Sequence, residues 1–255
     1  MKRIIYILSL LISINALSQT SAFKTGEHLK FKLSYSNFFT AGFATLDIKK
    51  AKHKGEPSFH VVGKGKTTGM INWFFKVRDN YETYFDKQDL IPYRFIRQIN
   101  EGGYTKDKEI LFDQEEYKAS VLNRKTKKVK TFKTEKNIQD LLSSLYYMRN
   151  QDISEFKIGD EISLPIFLDE EIMYMKLRFL GREILDTKFG KIKSAKFMPL
   201  VASDRIFKDE ESVTVWVSDD ENKIPLLIKA SLAVGSLRAD LFKYNGLANP
   251  IVFKD

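Results

Sequence analysis

A regular alternation of apolar and polar residues on both sides of a short acidic turn constrains the fold of this chain most. In VTVWVS, residues 213–218, valine occupies every second position, which is the period of a half-buried β-strand. The turn-forming residues DDENK at 219–223 interrupt the run, and the alternation resumes from Leu226 to Val234. We interpret 213–234 as a long antiparallel hairpin of a large sheet. It contains no recognisable catalytic motif.

Shorter segments of the same kind fill most of the chain. Glu101-Gly102-Gly103, between alternating runs at 93–99 and 104–112, is a strong hairpin signal. No linker rich in Pro, Gly or Ser divides the strands, so we expect one domain over 19–255. The sequence predicts a mainly β fold, a large antiparallel meander curled into a half-barrel with one central helix on its concave face. Further strands are predicted at 29–35, 44–48, 59–63, 77–85, 117–122, 129–132, 162–168, 173–180, 192–200 and 237–244, with bends at Leu180-Gly181-Arg182 and Phe189-Gly190-Lys191.

The central helix is predicted from a change of period at 137–148. Apolar residues recur there at steps of three and four, from Ile138 to Met148. Asn137 is the predicted N-cap, and Asp140 lies in the first turn, where the helix dipole favours an acid. The apolar stripe of this short helix needs a sheet to cover it.

The N-terminus has the pattern of a secretory signal peptide. Basic Lys2 and Arg3 precede a mostly apolar stretch that ends at Ala16, and small residues place cleavage after Ser18, with a second possible site after Ala22. The stretch is shorter than the roughly 20 residues needed to span a bilayer. We expect export to the periplasm of a Gram-negative bacterium, with secretion or anchoring by an uncleaved N-terminal segment as the alternatives. No transmembrane segment is expected in the mature chain.

Composition narrows the classes of function. The chain has no cysteine, which excludes a lipid-anchored bacterial lipoprotein, disulfides, cysteine-ligated zinc and thiol catalysis. Its formal net charge is +9, and many lysines alternate with apolar residues in strands, as on the solvated face of a sheet. The densest basic run, Arg124–Lys130, is placed at a hairpin tip. Export argues against nucleic acid as a partner.

Candidate chemistry is sparse. The three histidines, His28, His53 and His60, lack the spacing of a zinc site. The glycine-rich stretch 63–69 lacks the first glycine of a phosphate-binding loop, and we interpret it as a flexible loop before a bend. The acidic residues at 219–221 fit a turn better than a calcium site. We therefore expect no catalytic residue, no metal and no cofactor.

The segment Met70–Phe75 is the most informative candidate for binding. It contains five large apolar side chains and an asparagine that do not alternate. It fits either a loop that plugs one end of the sheet or a lip over an apolar cavity. In the second interpretation, the residues that line or gate the site are Trp73, Phe74, Phe75, Tyr146, Tyr147 and Trp216.

Several segments together carry a family resemblance. Val215–Asp220, Ile224-Pro225 and Val234–Leu241 resemble the C-terminal signature of the bacterial domain-of-unknown-function 3108 family. The resemblance extends over nearly the whole mature chain, and it implies an exported protein without an established activity. The other matching segments are Gly26-Glu27 with Leu29, Ala41–Ala44, Asp79-Asn80-Tyr81, Leu90-Ile91-Pro92, Asp140–Arg149 and Gly159-Asp160.

Three functional hypotheses remain at this point. The leading one is a non-enzymatic periplasmic protein that binds or carries an apolar or amphipathic envelope component, such as a lipid. The second is an envelope scaffold that binds another protein through a sheet edge or the basic tip. The third is a hydrolase acting on envelope glycans, for which the sequence selects no pair of carboxylates.

Overall fold

A single antiparallel sheet of fourteen strands, with two short helices, makes up the computed structural model, which describes residues 21–35, 39–201, 213–231 and 235–254. The mainly β prediction is confirmed. The predicted signal peptide and the predicted strand residues Leu232 and Val234 lie outside the described residues. The strands are β1 (His28–Tyr35), β2 (Phe39–His53), β3 (Glu56–Thr67), β4 (Arg78–Asp86), β5 (Pro92–Glu101), β6 (Tyr104–Asp113), β7 (Lys118–Asn123), β8 (Val129–Lys133), β9 (Glu161–Leu168), β10 (Glu171–Thr187), β11 (Gly190–Val201), β12 (Val213–Ser218), β13 (Pro225–Ser231) and β14 (Ser236–Asn245); the helices are α1 (Ile71–Phe74) and α2 (Leu141–Arg149).

The strand order is a meander that begins and ends in the middle of the sheet. Reading across the sheet, the order is β8-β7-β6-β5-β4-β3-β2-β1-β14-β13-β12-β11-β10-β9. The first and last strands pair with each other, from His28 opposite Asn245 to Tyr35 opposite Leu237. The two outer strands, β8 and β9, are therefore consecutive in the chain, and the segment that joins them contains α2.

The segment before α2 covers the outer edge of β9. The backbone N–H of Gln139 donates to the carbonyl of Pro165 at 3.0 Å, and the N–H of Phe167 donates to the carbonyl of Gln139 at 2.8 Å. This short parallel contact satisfies backbone groups that an edge strand would otherwise leave unpaired.

Ion pairs connect the two sides of the curled sheet. Asp169 and Glu170, at the turn between β9 and β10, face cations on the far side. Asp169 pairs with Arg97 and Lys106, and Glu170 with Lys108 and Lys130, at 2.5–2.9 Å. The sheet is curled but not closed, which confirms the half-barrel.

The predicted central helix exists, but its N-cap is not Asn137. Asp140 is the N-cap, and its side chain accepts hydrogen bonds from the N–H groups of Leu142 and Ser143, while the Ser143 hydroxyl accepts from the Asp140 N–H. Asn137 has a φ of 59° and lies in a turn. The prediction was wrong because Ile138 fits the apolar spacing of the helix although it precedes the first turn, and the next residue, Gln139, pairs with β9 instead of entering the helix.

The glycine-rich stretch 63–69 was predicted to be a flexible loop. In the structure, residues 63–67 are instead the end of strand β3. Gly63 faces the concave side, where an added Cβ would lie 3.3 Å from Leu46 and 3.4 Å from Leu142 of α2. The glycine therefore gives space for the helix. Its neighbour Lys64 is exposed on the convex face, so the alternation of a strand is present with glycine in the apolar positions.

One of the two predicted bends is likewise part of a continuous strand. Leu180-Gly181-Arg182 lies inside β10, where the register with β11 shifts between Phe179 and Gly181. Gly181 has a φ of +120°, a conformation that glycine adopts readily. The glycine marks a β-bulge rather than a turn.

The concave face is filled by side chains from the sheet and from α2. Tyr146 is fully buried, and its ring centroid lies 4.9 Å from that of Phe23 and 5.9 Å from that of Phe85. Within the described ranges, no helix is long and apolar enough to cross a membrane.

Candidate functional site

The structure does not bring the six predicted site residues together. Tyr146 is buried in the core and Tyr147, beside it on α2, is half-buried. Trp216 is 8% exposed; its indole N–H donates to the Glu183 carboxylate, and the Lys196 ammonium lies 5.2 Å from its ring centroid. Trp73, Phe74 and Phe75 follow the far end of β3, about 26 Å along the strand from Phe59 beside Tyr146. The predicted residues therefore belong to separate places.

A buried ion pair joins distant parts of the chain. Nη1 and Nη2 of Arg149, the last residue of α2, donate to the two carboxylate oxygens of Glu27 at 2.6 and 2.9 Å. Nε donates to the Asn222 carbonyl at 3.0 Å, and Nη2 also donates to the Ala22 carbonyl at 3.1 Å. The two side chains are at most 2% exposed. The Arg149 guanidinium therefore joins two segments of the family resemblance, Gly26-Glu27 and Asp140–Arg149, to the hairpin turn at Asn222.

Asp140 is the second buried charged group. Its carboxylate accepts from the Thr83 hydroxyl at 2.5 Å and from the backbone N–H groups of Leu142 and Ser143 at 2.8 and 2.9 Å. Burial raises the pKa of Asp140 to about 6, against the opposing effect of these hydrogen bonds. Perturbed carboxyls often mark functional sites. Asp140 is fully buried and all three donors belong to the fold, so its geometry is that of a helix cap.

The segment Met70–Phe75, here called the aromatic segment, is mostly exposed and so differs from both buried groups. Trp73 and Phe74 are 88% and 85% exposed, and Met70 and Phe75 are 70% and 51% exposed. Single exposed apolar residues are ordinary, but a contiguous exposed apolar group marks an interaction surface. The one-turn helix α1 within it was not predicted.

Hydrogen bonds and one ring contact hold the aromatic segment in place. The Thr67 hydroxyl accepts from the Val77 N–H at 2.9 Å, and the Gly102 N–H donates to the Lys76 carbonyl at 2.9 Å. The Phe75 ring covers Gly102, which has a φ of +55° and where an added Cβ would lie 2.4 Å from the ring. Phe75 is thus the anchor of the segment, and Trp73 and Phe74 are presented outward.

Next to the aromatic segment, basic residues align across the convex face. One row crosses four strands as Lys243, Lys30, Thr45 and Lys64. The next row toward α1 is Asp240, Lys32, Phe43, Lys66 and Arg78. Together these rows form what we call the basic face, whose cations are Lys30, Lys32, Lys64, Lys66, Arg78 and Lys243.

The basic face contains a groove and unpaired charge. The groove has a volume of about 540 Å³ and is lined by five of these cations, all but Lys32, together with Asp79. The Lys30 ammonium lies 4.3 Å from the Phe43 ring centroid. Within the part of the chain that the structure describes, none of the six cations forms an ion pair. The sequence predicted solvated lysines but not this alignment. The alternation of lysines at 30/32 and 64/66 placed them on one face of their strands, but only the strand register shows that they lie beside each other.

The histidines occupy ordinary positions in the sheet. His28 and His60 lie on the convex face and pair with Asp47 and Glu82 on neighbouring strands, each at 2.7 Å. Burial lowers the pKa of His60. His53 stacks on Tyr93 with ring centroids 3.8 Å apart. Among the residues described, no three His, Asp or Glu side chains form a group that could hold a metal ion.

The acidic hairpin residues serve the turn. Oδ1 of Asp220 accepts from the N–H groups of Asn222 and Lys223 at 2.9 and 3.3 Å and from the Ser218 hydroxyl at 2.7 Å. The Ser218 oxygen in turn accepts from the Ile224 N–H at 3.0 Å. These bonds fix the turn between β12 and β13, which presents the Asn222 carbonyl to Arg149.

Comparison with known proteins gives a family and a fold. The sequence profile of a family described as "Protein of unknown function (DUF3108)" matches residues 30–241. No curated protein matches the sequence significantly.

Three solved structures are similar over most of their length. A β-barrel-like protein of the domain-of-unknown-function 1849 family from Brucella abortus has a TM-score of 0.56 at 10% identity, covering 87% of this chain and 97% of its own. A candidate lipoprotein from Parabacteroides distasonis has a TM-score of 0.40 at 12% identity, covering 89% and 99%. A candidate exported protein with a YmcC-like fold from Bacteroides fragilis has 0.31 at 7%, covering 88% and 97%. At such identities the likeness concerns the fold alone.

Proposed function

The chain belongs to the domain-of-unknown-function 3108 family, and from this premise we propose that it is a non-enzymatic exported protein that binds an apolar or amphipathic envelope component. One observation carries the proposal: the aromatic segment places Trp73 and Phe74 side by side with 88% and 85% of their surface in solvent. Such exposure is costly in water and becomes favourable when a ligand covers it.

We place the binding surface outside the sheet and not within its concavity. Tyr146 and its aromatic neighbours fill the concave side, and a carrier cavity there would require this core to open. The groups that a catalytic interpretation would use first, Asp140 and the Glu27–Arg149 pair, are sealed from solvent. Because these buried groups cannot reach a substrate, their positions support a binding protein over a hydrolase.

Location in the periplasm is part of the proposal, and the described N-terminal residues allow a test of processing. Ala22 and Phe23 are each 1% exposed, the Ala22 carbonyl accepts from Arg149, and the Phe23 ring centroid lies 5.4 Å from the Arg149 guanidinium. Cleavage after Ala22 would put a new ammonium group beside a buried guanidinium, which is unfavourable. We predict that intact-mass measurement of the exported protein shows Gln19 as its first residue; Phe23 would contradict this.

Native mass spectrometry of the protein purified from its own periplasm tests the binding. We expect a co-purified amphiphile that solvent extraction releases and that is depleted in a Trp73→Ser, Phe74→Ser double variant. Ile158→Ser is the matched control, because Ile158 is also 77% exposed but lies near Gly181 of β10. Empty wild-type protein would contradict the proposal. A single dominant protein in crosslinks from intact cells would favour the scaffold instead.

A further inference from the structure

We propose that the protein docks on the surface of an anionic phospholipid bilayer, with the aromatic segment in the interfacial layer and the basic face on the lipid phosphates. This inference rests on the proposed function and names the partner of the same surface.

The apolar part of the surface is wider than the aromatic segment. Phe39 begins β2 opposite Tyr35, and Tyr35 also pairs with Leu237 of β14. Phe39 and Leu237 are 55% and 47% exposed, and they lie at the same end of the sheet as α1, because the Thr68 N–H donates to the Ala41 carbonyl. Tryptophan and other aromatic side chains favour the membrane–water interface, where part of the ring is apolar and part is wet.

The basic face lies at a height that lets it contact lipid headgroups at the same time. Lys66 and Arg78 are one residue from Thr67 and Val77, where the aromatic segment is attached, and Lys64 is three residues away, about 10 Å. An interfacial segment enters about 5–10 Å into the headgroup boundary. With Trp73 and Phe74 at that depth, lysine side chains of both rows reach the phosphate layer.

Charge complementarity selects an anionic bilayer. The six cations of the basic face have no carboxylate partner within the described chain. The neighbouring acids are engaged elsewhere: Asp240, opposite Lys32 on β14, pairs with Arg238 at 2.7 Å, Asp47 pairs with His28, and Asp79 accepts from the Asn100 N–H at 3.0 Å. Burial and the neighbouring Asp79 carboxyl raise the pKa of Glu101. The surface around the aromatic segment is therefore positive.

An acidic polysaccharide is the other partner with matching charge. It would satisfy the basic face, but the apolar side chains of Met70, Phe39 and Leu237 would gain nothing from its hydroxyl groups. A phospholipid surface satisfies both parts, since it offers phosphates above and acyl chains below. The lipid surface is therefore the partner that we assign.

Vesicle partitioning of the full mature protein tests the assignment. The probes are vesicles of phosphatidylethanolamine alone and of phosphatidylethanolamine mixed with phosphatidylglycerol, some carrying brominated acyl chains. We expect flotation with the mixed vesicles only, weakening as salt rises, and quenching of Trp73 by bromine. Trp216 is buried and contributes a constant background.

Two variant pairs separate the two parts of the surface. Lys64→Gln with Lys66→Gln should weaken partitioning by about fivefold for each lysine removed, while bromine quenching persists at saturating lipid. Trp73→Ser with Phe74→Ser should abolish flotation with the mixed vesicles, and Phe74→Ser alone should weaken the bromine quenching of Trp73. Lys127→Gln with Lys128→Gln removes the same charge from the exposed β7–β8 tip and should leave partitioning unchanged. Far-ultraviolet circular dichroism checks that each variant is folded.

Four other outcomes would overturn the inference, and each points to a different explanation. Equal binding to both vesicle types, with Trp73 quenched in each, would remove charge selection and leave the proposed function standing. Equal loss from the tip variant would assign the effect to net charge alone. Binding to dextran sulfate without flotation would make a polyanionic glycan the partner. An absence of vesicle binding together with empty protein in native mass spectrometry would reject both proposals.

Discussion

At the scale of single residues, the structure uses its buried charges to join segments. Arg149 connects the end of α2 to Glu27 before β1, to Ala22, and to Asn222 in the β12–β13 turn. A bidentate arginine–carboxylate pair is geometrically specific, and its value depends on both partners being present. The residue types were visible in the sequence, but their meeting was not, because 122 positions separate Glu27 from Arg149.

We expect the loss of one partner of this pair to cost more than the loss of both. Arg149→Met should lower the free energy of unfolding by about 3–5 kcal/mol, since it leaves the Glu27 charge buried and unpaired. Glu27→Leu combined with Arg149→Met should recover part of that loss. Urea denaturation of the two single variants and the double variant measures the coupling. A double variant whose loss equals the sum of the two single losses would contradict the interpretation.

Asp140 should make stability depend on pH with a definite sign. Its folded pKa of about 6 lies above its ordinary value of 3.8. Below both values the carboxyl is protonated in the folded and unfolded chain, and between them only the folded chain holds the proton. Asp140 therefore favours folding most in acid. Its contribution to the free energy of unfolding falls by about 3 kcal/mol as pH rises from 3.8 to about 6, and it is constant at higher pH.

Asp140→Asn isolates this contribution, because an amide oxygen can still accept from the Leu142 and Ser143 N–H groups. Relative to wild type, we expect the variant to gain stability steadily from pH 4 to pH 6 in urea titrations. Exposed Asp89→Asn is the control and should show no such trend. A difference between Asp140→Asn and wild type that does not change with pH would disprove the assignment.

At the scale of elements, alternation predicted the strands and failed where glycine replaced a side chain. Strands such as β5 and β6 follow the predicted ranges closely, because the Glu101-Gly102-Gly103 turn between them is a strong local signal. The second half of β3 and the bulge of β10 were interpreted as a loop and a bend because of Gly63 and Gly181. Glycine carries no polarity signal, so its role depends on what lies opposite.

Substitutions at two glycines of β3 test this explanation. Gly63→Val should destabilise the protein by about 1–3 kcal/mol, since its side chain would meet Leu46 and Leu142 of α2. Gly65→Val is the matched control on the same face, where an added Cβ meets nothing closer than 4.0 Å, and we expect a change below about 1 kcal/mol. Thermal melts of both variants make the comparison. Equal losses would show that strand propensity, not helix packing, is the cause.

At the scale of the whole molecule, the curled shape depends on the contacts that link the two outer edges of the sheet. The Gln139 contact covers β9, and Asp169 and Glu170 face four cations across the opening. These groups are partly exposed, so each pair alone adds little, and their effect comes from the network.

Reversing the two acidic charges should loosen this opening. Asp169→Lys with Glu170→Lys would place two more cations among Arg97, Lys106, Lys108 and Lys130, and like charges repel. We expect faster amide exchange in β8 and at Gln139, partly suppressed by salt, with β1 and β14 in the sheet centre unchanged. Glu115→Lys with Glu116→Lys, in the exposed β6–β7 turn, is the control. Unchanged exchange at β8 would show that packing alone keeps the sheet curled.

The sequence by itself determined the antiparallel sheet, most of its strand ranges, the central helix and the family, because these follow from local periodicity and from short motifs. Only the tertiary structure decided which residues share a surface. It separated Tyr146 and Trp216 from the exposed Trp73, and it aligned lysines of separate strands into rows. The physical reason is register: side chains far apart in the chain become neighbours only when strand pairing and curvature fix their positions, and no local pattern contains that information.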